Sequence, residues 1–150
     1  MWNILLLRHG QAQHYFPHHG GDRARGLTGQ GILDIKTLAD ELVLRTSLSK
    51  IFHSPYLRAR ETAQLVNDRF KVSMEELVDL EPNGLPEQVL NKILGRNGNI
   101  LLVTHMPLVA QLALHLTGRL GEFFPGTCMD ISRHDAFSLK GNPVWVKNPF

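Results

Sequence analysis

Cysteine is almost missing from this chain. Cys128 is the single one among 150 residues, so no disulfide forms within the chain, and the usage fits a reducing compartment. Long apolar runs are absent as well: no stretch approaches the roughly 20 residues that span a bilayer. The apolar N-terminal run is too short for a signal peptide and is broken by Arg8. The cytoplasm is therefore the expected address, with no membrane partner. There is no run of lysine or arginine, and a formal net charge of only +2 gives no reason to expect nucleic acid. Internal repeats and low-complexity segments are likewise missing. With 43% hydrophobic and 20% charged residues the composition is that of an ordinary globular chain. A length of 150 residues suffices for one domain, 1–150, with a real core, and is short for two. A monomer is expected.

What is present is an alternation of apolar runs and amphipathic stretches. A strand is expected over 2–7, where the continuous run 4–7 reads as buried on both faces of a parallel sheet. It runs straight into Arg8, His9 and Gly10, the glycine letting the backbone turn sharply. Residues 11–26 form a polar, irregular segment. Its His14, His18 and His19 admit a metal site, but no cysteine completes a structural zinc set, and a solvated loop with Tyr15 is the plainer reading. Arg23 and Arg25 either raise the potential at a pocket rim or are simply exposed. Thr28 suits a helix N-cap, with Ile35, Leu38, Ala39 and Leu42 following at helical spacing. Gly29 and Gly31 weaken that helix unless its backbone must approach a neighbour closely.

A second strand is expected over 50–53, with Pro55 where the next helix begins and Ala59, Ala63, Val66 and Phe70 on one stripe. Arg58 then lies in the first helical turn, an unfavourable place for a cation unless it faces an anion drawn to the same dipole. Arg60 is as easily a surface residue. A weak strand over 72–78, a turn-rich loop 81–86 and a helix over 87–94 follow, then the strongest strand, 100–103. That strand ends in Thr104 and His105, and Pro107 opens another helix. Beyond it, strands over 127–132, 136–139 and 144–146 come without helices, with a turn at Gly141-Asn142-Pro143, which implies antiparallel pairing at a sheet edge. Cys128 reads as a buried structural thiol, and His53, His115 and His134 as packing or surface residues.

Strand–helix alternation with short turns implies a right-handed, mostly parallel layout. Parallel strands end at one edge, where open α/β sheets bind ligands. His9, Arg58 and His105 therefore converge from three separate segments. An arginine beside a histidine at that edge fits an oxyanion held by the cation, although polar strand ends facing water look the same in isolation.

Four motifs stand in order: Leu7-Arg8-His9-Gly10, Leu27-Thr28-Gly29-Gln30-Gly31, Ser54-Pro55-Tyr56-Leu57-Arg58-Ala59 and Val103-Thr104-His105-Met106-Pro107-Leu108. In this the chain resembles the histidine phosphatase, or phosphoglycerate-mutase-like, superfamily. The short length, the loop Leu80-Glu81-Pro82-Asn83-Gly84 and the lack of a cap insertion are most similar to the SixA-type phosphohistidine phosphatases. The resemblance implies a three-layer α/β/α sandwich on a mostly parallel mixed sheet, and phosphoryl transfer through a covalent phosphohistidine, with no metal or other cofactor. It makes His9 the nucleophile and Arg8, Arg58 and His105 the groups around the phosphoryl oxygens, with Thr28 also on the substrate side. A general acid in the loop after the third strand would be Glu81, with Asp79 and Glu87 behind it.

The substrate expected is phosphohistidine on a phosphotransfer protein. An imidazole leaves readily, whereas an alkoxide needs a committed acid, and an uncapped site admits a side chain presented by another protein. Alternatives are a phosphatase or mutase of small phosphomonoesters using Glu81, a non-catalytic phosphate-binding module, and a metal-dependent hydrolase with His9 and His105 as ligands.

Overall fold

The computed structural model describes residues 2–14, 20–135, 137–138 and 140–150. The chain runs β1 (Ile4–Arg8), α1 (Gly29–Arg45), β2 (Lys50–His53), α2 (Leu57–Phe70), β3 (Ser73–Glu76), α3 (Pro86–Ile93), β4 (Ile100–Thr104), α4 (Leu108–Thr117), β5 (Cys128–Ser132) and β6 (Asn142–Lys147). Single turns of 3-10 helix stand at Asp22–Ala24 and Val78–Leu80. The strands make one sheet in the order β3-β2-β4-β1-β5-β6. The first four are parallel, and β5 and β6 are antiparallel. No helix among the described residues is long and apolar enough to cross a membrane.

The sheet is covered on both faces, which explains its unbroken apolar strands. Every residue from Ile4 to Leu7 is at most 1% exposed. The two-residue period sends Ile4 and Leu6 to the side of α3 and α4, and Leu5 and Leu7 to the side of α1 and α2. Each such side chain contributes about 1.5–3 kcal/mol by leaving water. The expected three layers are present.

The element boundaries carry corrections. Helix α2 starts after Tyr56, whose backbone is still extended, so Pro55 precedes the helix instead of opening it. The weak third strand shrinks to Ser73–Glu76 at the sheet edge. Asn142 and Pro143 belong to β6 and not to a turn; Pro143 sits opposite Ile131 on an edge strand, the place where a residue without an N–H is tolerated. Of the strand expected over 136–139, Ala136 and Leu139 lie outside the described residues. Phe137 and Ser138 between them are not strand, and the Phe137 N–H is taken by the Asp135 carboxylate.

Glycine at two positions lets α1 press against the segment that follows β1. Gly10 does not adopt a positive φ, so its requirement is space, not a turn: a Cβ there would lie 3.0 Å from Ile35 Cγ1 and 3.2 Å from the Gly31 carbonyl. A Cβ at Gly31 would collide with the Gln11 backbone carbonyl, whereas one at Gly29 would meet nothing within 4 Å. Gly31→Ala is therefore expected to destabilise the fold by about 1–3 kcal/mol. Gly29→Ala, in the same helix, should stabilise it by about 0.5–1 kcal/mol. Denaturant midpoints of the two variants, with unchanged slopes, check this opposition of sign.

Candidate active site

Strands β1 and β4 are neighbours in register, with Arg8 opposite Thr104. Their carboxyl ends therefore deliver Arg8, His9 and His105 to one spot. The His9 N–H donates to the Thr104 carbonyl at 3.0 Å, which locks the two strand ends together. Strand β2 lies on the other side of β4, so the N-terminus of α2 opens at the same edge and carries Arg58. Thr62 ties the two segments: its Oγ1 accepts from the Gly10 N–H at 3.0 Å and donates to the Arg58 carbonyl at 2.7 Å.

These residues wall a cavity of about 420 Å³, lined also by Gln11, Ala12, Asp22, Arg25, Pro82, Met106 and Pro125. His9 Nδ1 lies 2.8 Å from the Gly10 carbonyl. A carbonyl only accepts, so Nδ1 bears the proton and Nε2 carries the lone pair. That lone pair accepts from Arg58 Nε at 3.3 Å. The rings of His9 and His105 stand 5.0 Å apart between centroids, and Tyr56 packs edge-on against His105 at 4.9 Å. His105 Nε2 lies 2.8 Å from Ser54 Oγ, while His105 Nδ1 and Arg8 Nε have no hydrogen-bond partner among the described residues.

Electrostatics make this an anion site. Arg8, Arg25 and Arg58 face the cavity, with Asp22 as the one carboxylate among the described residues of its wall. Arg58 is 4% exposed and donates to the Asp22 carbonyl at 2.9 Å and carboxylate at 3.2 Å. Arg25 Nε binds the other Asp22 oxygen at 2.8 Å. Burial alone would raise the Asp22 carboxyl, but the two arginines outweigh it and hold the group below its ordinary value. Burial, then the nearby arginines, pushes His9 down to about 3. Burial followed by His9, Arg58 and Arg8 pushes His105 down to about 2. Both imidazoles are therefore neutral at physiological pH.

The structure brings together His9, Arg8, Arg58 and His105. It does not bring Thr28 or Glu81 to the cavity wall. Thr28 caps α1, its Oγ1 accepting from the Gly31 N–H at 3.0 Å and donating to Gln11 Oε1 at 2.7 Å. Glu81 is held by both Arg23 guanidinium nitrogens, at 3.0 and 3.2 Å, and only its neighbour Pro82 lines the cavity. Asp79 pairs with Lys92, and Glu87 lines a separate groove beside α4. Arg60 is exposed. Of the two rim arginines, Arg25 joins the cavity and Arg23 stacks on Tyr56. His14 is exposed, whereas Tyr15, His18 and His19 lie outside the described residues. Among the described residues no three His, Cys, Asp or Glu side chains gather as a metal-binding group. His53 is buried, its Nδ1–H donating to the Ser54 carbonyl. His115 is half-buried beside the separate groove, and His134 is exposed. The Cys128 thiol is buried, and burial pushes its pKa well up, which leaves it inert. Asp22 had no signal in the spacing of the sequence; it reaches Arg58 from 36 positions away.

The model of the histidine phosphatase superfamily (branch 1) matches residues 4–81. A phosphohistidine phosphatase SixA homolog of Haemophilus influenzae is 32% identical over 141 residues, covering 83% of this chain and 84% of that protein. The phosphohistidine phosphatase SixA of Escherichia coli is 28% identical over 120 residues, covering 75% and 73%. A solved structure of the protein histidine phosphatase SixA complexed with tungstate superimposes with a TM-score of 0.88 at 25% identity, covering 98% of this chain and 97% of that one. Four ordered motifs, the mixed sheet that gathers them, and these likenesses lead to one assignment: the chain belongs to the histidine phosphatase superfamily, among its SixA-type members.

Proposed function

We propose that this chain is a phosphatase of protein-borne phosphohistidine that passes the phosphoryl group through its own His9. The observation that carries the reading is the His9 Nε2 lone pair, held unprotonated on a cavity wall that three arginines share. Nε2 attacks phosphorus in line, the new N–P bond forming as the bond to the leaving imidazole breaks, and that imidazole takes its proton from water. Water then attacks the phosphorylated His9, the N–P bond breaks, and phosphate departs while the water's proton goes to solvent. A transferring phosphoryl group spreads charge over its equatorial oxygens. Arg8, Arg25 and Arg58 are fixed donors to that charge and need no reorganisation to meet it. The SixA structure to which the chain is similar was complexed with tungstate, a tetrahedral oxyanion like phosphate.

Leaving-group chemistry favours phosphohistidine over alkyl phosphates. Asp22 is kept ionised by two arginines, and Glu81 is engaged by Arg23 outside the cavity wall. Neither stands ready to protonate an alkoxide, and an imidazole needs no such donor. Among the described residues no inserted domain covers the cavity, which suits a side chain offered by another protein. A cytoplasmic location belongs to the same reading.

A phosphohistidine-bearing phosphotransfer protein should be hydrolysed in preference to sugar and nucleotide phosphates; a large preference for the small esters transfers the assignment to a phosphomonoesterase. His9→Ala should abolish turnover and the phosphoryl label trapped on the protein by an alkaline quench. Arg58→Ala should lower kcat/KM by about 3–4 kcal/mol of transition-state stabilisation. A dependence on pH is expected as well. His9 is held near 3 against an ordinary 6.5, so the unfolded chain binds protons there that the folded chain refuses. Stability then rises with pH between those two values and is lost as pH falls through them. The ring nitrogens of His9 and His105, followed by NMR, should stay neutral from about pH 8 to about pH 5; a midpoint near the ordinary value contradicts the site electrostatics.

A further inference from the structure

Ser54 lies three residues ahead of the first residue of α2, in a motif that also carries Arg58, and it is fully buried. Its Oγ accepts from the Tyr56 backbone N–H at 3.2 Å and lies 2.8 Å from His105 Nε2. Among the described residues the hydroxyl has no other hydrogen bond. A hydroxyl has one proton to donate. Away from solvent, the acceptor within reach of that proton is the Nε2 lone pair.

The consequence falls on the other ring nitrogen. A neutral imidazole has one N–H, so an accepting Nε2 leaves the proton on Nδ1. The reverse arrangement, with Nε2 donating to Ser54, strands the buried hydroxyl proton and leaves a bare lone pair at Nδ1 of a ring that lines the cavity. Among the described residues Nδ1 has no partner, and neither has Arg8 Nε, another donor of a residue in the same wall. His105 is 1% exposed, and burial keeps its ring neutral.

We infer that Ser54 is a positioning residue: its hydroxyl fixes His105 as the Nδ1–H tautomer, so that a neutral histidine donates a hydrogen bond to an oxygen of the bound phosphoryl group. His9 and His105 then carry the same tautomer for opposite ends. The Gly10 carbonyl holds the His9 proton at Nδ1, leaving the lone pair at Nε2, while Ser54 occupies the His105 lone pair, leaving the proton at Nδ1. No proton changes place at His105 during transfer. The role in catalysis rests on the phosphoryl-transfer reading; the tautomer does not.

Long-range proton–nitrogen correlation spectra of protein labelled with 15N-histidine test this directly, with the His105 signals assigned by their loss in His105→Gln. The free protein should show His105 protonated at Nδ1. In Ser54→Ala that signature should give way to the Nε2–H form. The rate of phosphoenzyme formation from p-nitrophenyl phosphate should fall about 10–100-fold with KM little changed, the range typical of groups that orient a histidine. Ser54→Thr, which keeps the hydroxyl, should recover both. An Nε2–H signature in the unaltered protein overturns the inference, as does a Ser54→Ala variant that keeps either the Nδ1–H form or the full rate. Failure of the unaltered protein to form phosphorylated His9 instead overturns the phosphoryl-transfer reading, while the spectrum still decides the tautomer.

Discussion

The structure depends on keeping guanidinium groups out of water beside imidazoles that must not be protonated. Arg58 is buried, and Arg8 and Arg25 share its cavity. A buried charge needs partners, and like charges at this range destabilise one another. Asp22 neutralises one of the three and receives hydrogen bonds from two of them. The surplus is a positive field that acts on everything nearby. It adds to burial in depressing His9 and His105, and it makes a dianion the natural complement of the cavity.

The scaffold holds that field together by ordinary means. Parallel β1 and β4 put two histidines at adjacent strand ends, and the β2–α2 connection brings Arg58 to meet them. Backbone carbonyls and hydroxyls then set the finer chemistry. Gly10 holds the proton of His9, Thr62 fastens the β1 turn to α2, and the Phe123 carbonyl anchors Arg8 at 2.9 Å. The helix α1 can press on the segment after Gly10 because Gly31 presents no side chain to Gln11. Packing of a glycine some distance along the chain is thus linked to the placement of the imidazole.

Legibility in the sequence followed burial. Residues 4–7 and 100–103 were plain because both faces are covered, so every position is apolar. Ser73–Glu76 was faint because it lies at the sheet edge and is largely exposed. Pro143 suggested a turn, since a proline argues against a strand interior, yet an edge strand accepts it. In the site, Arg8, His9 and His105 were legible from their place after apolar runs, and Arg58 from its place in a first helical turn. Glu81 stood in the right loop, but its pairing with Arg23 depends on where a distant arginine comes to rest. Asp22 lay in a polar segment with no pattern to distinguish it.

The sequence by itself determined the period of each element and the order of the motifs, and with them which residues end strands on a common edge. Those are local properties: side-chain alternation, helical spacing and a cap act within a few residues. Only the tertiary structure decided which carboxylate meets Arg58, which nitrogen of each imidazole bears the proton, and that both rings stay neutral. Hydrogen-bond partners and desolvation come from segments dozens of residues apart, and no local pattern encodes a contact across that distance.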